Sequence, residues 1–134
     1  EIYGVNPSNL MPSLALAADG KIRYFKVLGD CYDTPDGTCI RDYIHITDLA
    51  KGHVASLKRT SGSPDISIYN LGTGTGYSVL EVIRAFESVC GRSIPYKIEK
   101  ARAGDVAKMY ACCDKAFSIC AKKFSIVFRA YKRH

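Results

Sequence analysis

The 134 residues are 47% hydrophobic and 24% charged, the balance of one ordinary globular domain with room for a core but not for two full domains. This composition excludes a disordered chain, and no apolar run approaches the ~20 residues needed to span a bilayer. The opening EIYGVNPSNLMP lacks the basic-then-apolar layout of a secretory leader, so a cytoplasmic location is expected. With no initiator Met and a loop-like start, a missing N-terminal portion is expected as well.

In chain order, residues 12–19 read as a helix, with Pro12 in the first turn and Gly20 as the stop, and RYFKVL at 23–28 reads as a strand. Asp33, Thr34, Pro35, Asp36 and Gly37 are turn formers and mark a surface loop, after which Arg41 follows directly. The β-branched and aromatic run 43–46 predicts a second strand. Thr47-Asp48 then caps a helix over 48–59, with Leu49, Val54 and Leu57 at helical spacing. SGSP is a linker, and ISIYNL at 66–71 predicts a third strand. In SVLEVIRAFESVCG, 78–91, Ser78 and Glu81 form a capping box, Val79, Val82, Ile83, Phe86 and Val89 make the apolar stripe, and Gly91 closes the helix. IPYKIE at 94–99 gives a fourth strand. Alternation of this kind indicates an α/β class with mostly crossover connections.

The net charge of +6 belongs to the tail: ten Lys or Arg face three acids from Lys97 onward, against nine and ten before it. From Lys115 to Tyr131, Phe117, Cys120, Ala121, Phe124, Val127, Phe128 and Tyr131 recur at helical spacing among Lys122, Lys123, Arg129 and Lys132. A basic amphipathic helix of this type suits a membrane surface, a calmodulin-like partner or nucleic acid. The reading preferred here is a terminal helix whose apolar face docks on the domain.

Six cysteines, at 31, 39, 90, 112, 113 and 120, form no CxxC pair and have no His at zinc-finger spacing, so reduced structural thiols and no metal are expected. Asp30, Asp33 and Asp36 are spaced by three rather than two and read as turn residues, not a calcium loop. His45 and His53 read as packed or exposed side chains. Gly72-Thr-Gly74-Thr-Gly76, with Glu99 27 residues beyond Gly72, imitates a dinucleotide fingerprint. Tyr77 and Ser78 stand where a third, close-packed glycine belongs, so the loop reads as a tight strand–helix turn whose glycines permit positive φ. Arg41, Arg102 and Asp105 remain as anion and hydroxyl binders: guanidinium forks match diphosphate oxygens, and a carboxylate accepts from ribose hydroxyls. Taken singly, either arginine is more often a surface salt-bridge partner.

The segments SNLMP (8–12), GDCYDTPDGTCIRDYIHITDLAKGHVASL (29–57), IYNLGTGTGYSVLEVIRAFESVCGRSIPY (68–96) and RAGDVAKMYA (102–111) together resemble the C-terminal part of the UDP-galactose 4-epimerases (UDP-glucose 4-epimerases), extended members of the short-chain dehydrogenase/reductase superfamily. The resemblance runs from about residue 5 to 116. It implies the UDP-sugar-binding portion of that fold, without its N-terminal Rossmann domain, and an enzyme that interconverts UDP-galactose and UDP-glucose. A bound NAD takes a hydride from carbon 4 of the sugar and returns it to the opposite face. By position, Asn9 and Leu10 touch the phosphate region, Lys26, Val27 and Leu28 lie along the uracil, Arg41 and Arg102 clamp the diphosphate, and Asp105 meets the ribose. The resemblance also implies a homodimer and no nucleic-acid or membrane partner.

Departures from the family pattern are specific. Its GxxGxxG loop and its Tyr-x-x-x-Lys catalytic pair are not expected here, so no catalytic or cofactor-binding residue is assigned and the chain alone is expected to be inactive. Ser8 replaces the usual Asn and Leu28 the usual aromatic, which bears on nucleotide affinity. The closing Leu-Gly-Trp segment and Trp-rich helix are missing, and the chain has no Trp. Residues 1–114 are therefore expected to be the UDP-sugar-binding portion and 115–134 a divergent basic helix. In the family, the helix after Asp48 packs partly on the cofactor domain, so its apolar surface is expected to be exposed here or covered by self-association. The alternatives are a non-catalytic UDP-sugar-binding or basic-tail interaction module, or a related UDP-sugar decarboxylase or 4,6-dehydratase.

Overall fold

The computed structural model describes residues 9–60 and 66–120. The chain divides into two compact units, Glu1–Cys39 with Ser78–Ala107, and Ile40–Tyr77 with Lys108–His134.

In the first unit, α1 (Leu10–Ala18) starts two residues earlier than Pro12 suggested, which leaves the proline in the first turn, where a missing N–H costs nothing. Its end is a Schellman turn: Lys21 N–H donates to Leu16 O at 2.9 Å and Gly20 N–H to Ala17 O at 3.1 Å, with Gly20 left-handed at φ 68°. The strand β1 (Phe25–Leu28) alternates buried and exposed residues. It pairs in parallel with β4 (Tyr96–Glu99), Phe25 opposite Tyr96 and Leu28 opposite Glu99.

Between them lies α3 (Val79–Cys90). The expected capping box is present: Glu81 N–H donates to Ser78 Oγ at 3.1 Å and Ser78 N–H to Glu81 Oε2 at 2.8 Å. Val82, Ile83 and Phe86 from its stripe bury with Leu14, Phe25, Val27 and Ile94, and these side chains make the core. The loop 30–38 closes on itself, as its turn formers predicted. Tyr32 N–H donates to Gly37 O, Gly37 N–H to Thr34 O, and Thr34 Oγ1 to Thr38 O. Asp36 accepts from the N–H and hydroxyl of Thr38 and from the Ser78 hydroxyl. Burial resists ionisation of Asp36, yet these bonds and the nearby Arg84 outweigh it and hold the carboxyl below the usual aspartate range.

In the second unit, the expected strand at 43–46 is reduced to a single bridge residue, Ile44, and the paired strand is β2 (Ile40–Arg41), parallel to β5 (Lys108–Met109). Strand propensity is realised only where a partner lies alongside, and β5 lies beside 40–41. The chain then enters α2 (Ile46–Thr60), two residues before the expected start. His45, not Thr47-Asp48, serves as the cap: its carbonyl accepts from Asp48 and Leu49 N–H, and its Nδ1 from Thr47 N–H. His53 is exposed and its Nδ1 lies 2.8 Å from Leu49 O.

The strand β3 (Tyr77–Ser78) completes a three-stranded sheet in the order β3-β2-β5. ISIYNL at 66–71 forms no strand. Ile66 and Ile68 are 93% and 75% exposed, and the segment is held by side chains instead, with Lys115 over the Tyr69 ring at 4.8 Å and Asn70 Nδ2 donating to Cys112 O at 3.3 Å. Of the predicted basic tail helix, α4 (Asp114–Cys120) is present and the remainder lies outside the described residues, as do the SGSP linker and Ser8. Among the described residues, no helix is long and apolar enough to cross a membrane.

Candidate functional site

The parallel strands β2 and β5 end together, and a cavity of about 360 Å³ opens at their carboxyl ends. Arg41 and Asp42 line it from β2, Met109 and Tyr110 from β5, with Ala111, Cys112 and Asn70 completing the wall. In open α/β sheets the carboxyl ends are where ligands settle, because the connecting loops diverge there. Arg41 is half-buried, and its Nη1 donates to Ile40 O at 2.8 Å, which fixes the guanidinium near the strand end.

Asp42, which the residue pattern did not single out, organises the rest. Its Oδ1 accepts from Thr73 N–H at 2.9 Å and Thr73 Oγ1 at 2.7 Å. Its Oδ2 accepts from Gly74 N–H at 3.1 Å and Ala111 N–H at 3.4 Å. The glycine loop is thus already an anion site, and the anion is the chain's own aspartate. The Thr73 and Gly74 donors that a pyrophosphate needs are engaged, so these residues do not fit a dinucleotide. Positive φ explains only Gly74, at 75°. A Cβ on Gly72 would overlap Asp42 Oδ2 and lie 3.0 Å from Ala111 Cβ, and one on Gly76 would overlap Ile40 Cγ2 and lie 2.8 Å from Tyr110. Those two glycines serve close approach. The legible signal was a run of small residues with N–H groups to spare and an acid just after β2.

Cys113 packs against the same loop and is buried. Burial, then the Asp42 carboxylate and Cys112, push its thiol up, against the N–H groups of Gly72 and Gly74. Cys31, Cys39, Cys90, Cys112 and Cys113 all carry free thiols. Among the described residues, no group of His, Cys, Asp and Glu could hold a metal ion.

The other predicted site residues belong to the first unit. Arg102 and Asp105 come together across the turn at Gly104, Nε to Oδ2 at 3.4 Å and Nη2 to Oδ1 at 3.2 Å. The Arg102 side chain is 69% exposed and that of Asp105 19%, so solvent screens the pair from the arginine side. Lys26 and Leu28 face outward from β1, but Val27 is 1% exposed and its side chain belongs to the core. Phe25 and Gly29 N–H groups donate to Pro95 O and Glu99 O. By strand alternation the main-chain groups of Lys26 and Leu28 therefore point away from β4. Asn9 precedes α1 in an extended conformation and makes no side-chain cap bond, while Leu10 is half-buried in the first turn.

The Tyr-x-x-x-Lys spacing, expected to be missing, does occur once, as Tyr96 and Lys100. Tyr96 begins β4, and in extended chain two such residues lie about 13 Å apart. A helix would instead place them one turn apart on one face.

Paired parallel strands, helical connections and a cavity of mixed polar and apolar lining at the strand ends define an α/β class of protein. Residues 1–72 match the NAD dependent epimerase/dehydratase family, and the chain belongs to that family. Over 110 residues it is 54% identical to the UDP-glucose 4-epimerase of Bifidobacterium longum, covering 82% of this chain and 32% of that protein. The human UDP-glucose 4-epimerase is 52% identical over 105 residues, 78% of this chain and 30% of that one. The chain thus spans about a third of the length of these relatives. The solved Bifidobacterium longum enzyme in complex with NAD+ and UDP superimposes with a TM-score of 0.85 at 49% identity, over 91% of this chain and 36% of that one. A Stenotrophomonas maltophila UDP-glucose-4-epimerase with bound NAD and formylated UDP-arabinopyranose gives 0.89 at 40% identity, over 99% and 39%.

Proposed function

We propose that this chain supplies UDP-sugar binding to a UDP-glucose 4-epimerase, an isomerase that interconverts UDP-galactose and UDP-glucose with NAD. The observation that carries the reading is Arg41 lining the cavity at the carboxyl ends of β2 and β5, in a chain about half identical to such enzymes over the matched residues. A guanidinium there offers forked donors to diphosphate oxygens. Arg102 does the same once a phosphate displaces Asp105, whose carboxylate then accepts from ribose hydroxyls. The outward main-chain groups of Lys26 and Leu28 suit the polar edge of a uracil, while Val27, its main chain turned to β4 and its side chain in the core, only holds the strand in place. Asn9 and Leu10, at the start of α1, serve the phosphate region, the Asn9 amide not being spent on a cap.

In this reading, residues 1–114 form the binding portion and 115–134 a divergent basic helix, and the active protein is a cytoplasmic homodimer. The glycine loop is filled by Asp42, and Tyr96 and Lys100 lie on extended chain, so cofactor binding and the proton-transfer pair are not provided by these segments. The isolated chain therefore binds UDP and does not epimerise.

Titration calorimetry with UDP tests this. Binding by the wild-type chain, weakened about tenfold or more in Arg41→Ala as expected for loss of a charged hydrogen-bonding partner, supports it. No heat with the wild type, or equal affinity in Arg41→Ala, overturns it, and turnover of UDP-galactose by the chain alone refutes its inactivity.

A further inference from the structure

We infer that Asp42 is a positioning residue for the ligand of the Arg41 cavity: a side-chain anion, seated in a nest of main-chain donors, that clamps the cavity walls around the arginine. The role rests on the UDP-binding reading above; the nest itself does not.

Four donors converge on one carboxylate. Thr73 N–H and hydroxyl reach Oδ1 at 2.9 and 2.7 Å, and Gly74 and Ala111 N–H reach Oδ2 at 3.1 and 3.4 Å. They come from two segments far apart in sequence, the loop after residue 71 and the end of β5. Asp42 itself continues β2. The carboxylate therefore ties three segments at one point, and Arg41 is its immediate neighbour in the chain.

Gly72 shows that the backbone is shaped for this carboxylate, since any side chain there would occupy the place of Oδ2. Asp42 and Ala111 both line the cavity, so releasing the clamp alters the wall directly. Neutral isosteres cannot take over. In Asp42→Asn the amide nitrogen has no lone pair for Gly74 and Ala111, so donor faces donor. Leaving the part-buried Ala111 N–H without an acceptor carries a desolvation penalty, while the exposed Gly74 N–H turns to water.

The test compares UDP affinity of the wild type, Asp42→Asn and Asp42→Ala by calorimetry, with sodium formate or an equal concentration of sodium chloride added. Amide exchange of Thr73, Gly74 and Ala111 is followed by NMR in parallel. The expected result is an affinity loss of about tenfold or more in both variants. Formate, a carboxylate small enough for the vacated nest, restores affinity and amide protection in Asp42→Ala, and chloride does not. Wild-type affinity in Asp42→Ala overturns the positioning role, and so does a loss that formate leaves unchanged. If Asp42→Ala fails to fold, slow exchange of the three amides in the wild type supports the nest and fast exchange overturns it. Absence of UDP binding by the wild type sinks the UDP reading and the positioning role with it, while the exchange data still decide whether the nest exists.

Discussion

Glycines 72 and 74 stand two residues apart in one loop and are glycine for different reasons. Gly74 needs the left-handed backbone, and a Cβ there meets nothing nearer than Ala111 O at 3.8 Å. At Gly72 the φ is ordinary and the obstacle is Asp42. Gly74→Ala should therefore cost about 1–2 kcal/mol, the strain of a left-handed L-residue. Gly72→Ala should cost more, about 1–3 kcal/mol from overpacking plus the displaced carboxylate. Urea unfolding of the two variants checks the order. Double variants with Asp42→Ala separate the causes: removing the carboxylate relieves much of the penalty at 72 and none at 74. The GTGTG pattern was visible in the sequence, but its partner was not, because Asp42 lies about thirty residues away and meets the loop only after folding.

At the level of elements, α3 was legible from end to end because its signals are local. The Ser78 and Glu81 box, the stripe through Phe86 and the closing Gly91 all act within a few residues. What the local pattern did not reveal is that the cap extends to Asp36, which also accepts from Ser78. Ser78→Ala should cost about 2 kcal/mol, the upper end for a lost cap, since it also removes a donor to that carboxylate. Asp36 adds a pH dependence. Its folded-state pKa is depressed, so the ionised form favours the fold above the unfolded value of about 3.9. That contribution fades as the pH falls through the folded value. Urea midpoints measured from about pH 6 down to pH 3 should drop more steeply for the wild type than for Asp36→Asn. The strands were less legible than the helix. The runs 43–46 and 66–71 have strand composition, but pairing is decided by what lies alongside, and β2 formed three residues earlier, where β5 met it.

Across the whole molecule, burial is uneven among the described residues. The first unit carries most of the fully buried side chains, Leu14, Val27, Val82, Ile83 and Ile94 among them. In the second, Ile46, Val54 and Leu57 of α2 are 56–71% exposed among the described residues. Val54→Lys and Leu57→Lys should each change stability by no more than about 0.5 kcal/mol, since little burial is lost. They should lower binding of an environment-sensitive hydrophobic dye, and any concentration-dependent association in the ultracentrifuge. A large destabilisation would show that this face is covered in solution.

From the sequence alone come the α/β class, the capped helix α3, the turn loop at 30–38 and the resemblance to UDP-glucose 4-epimerases. Each is written in neighbouring residues, where spacing and side-chain chemistry act directly. Only the tertiary structure decided that β2 pairs with β5, that Arg41 lines a cavity at their ends, and that the glycine loop encloses Asp42 rather than a pyrophosphate. Those are relations between residues distant along the chain, and no local pattern encodes which main-chain donors will meet which carboxylate once the segments have packed.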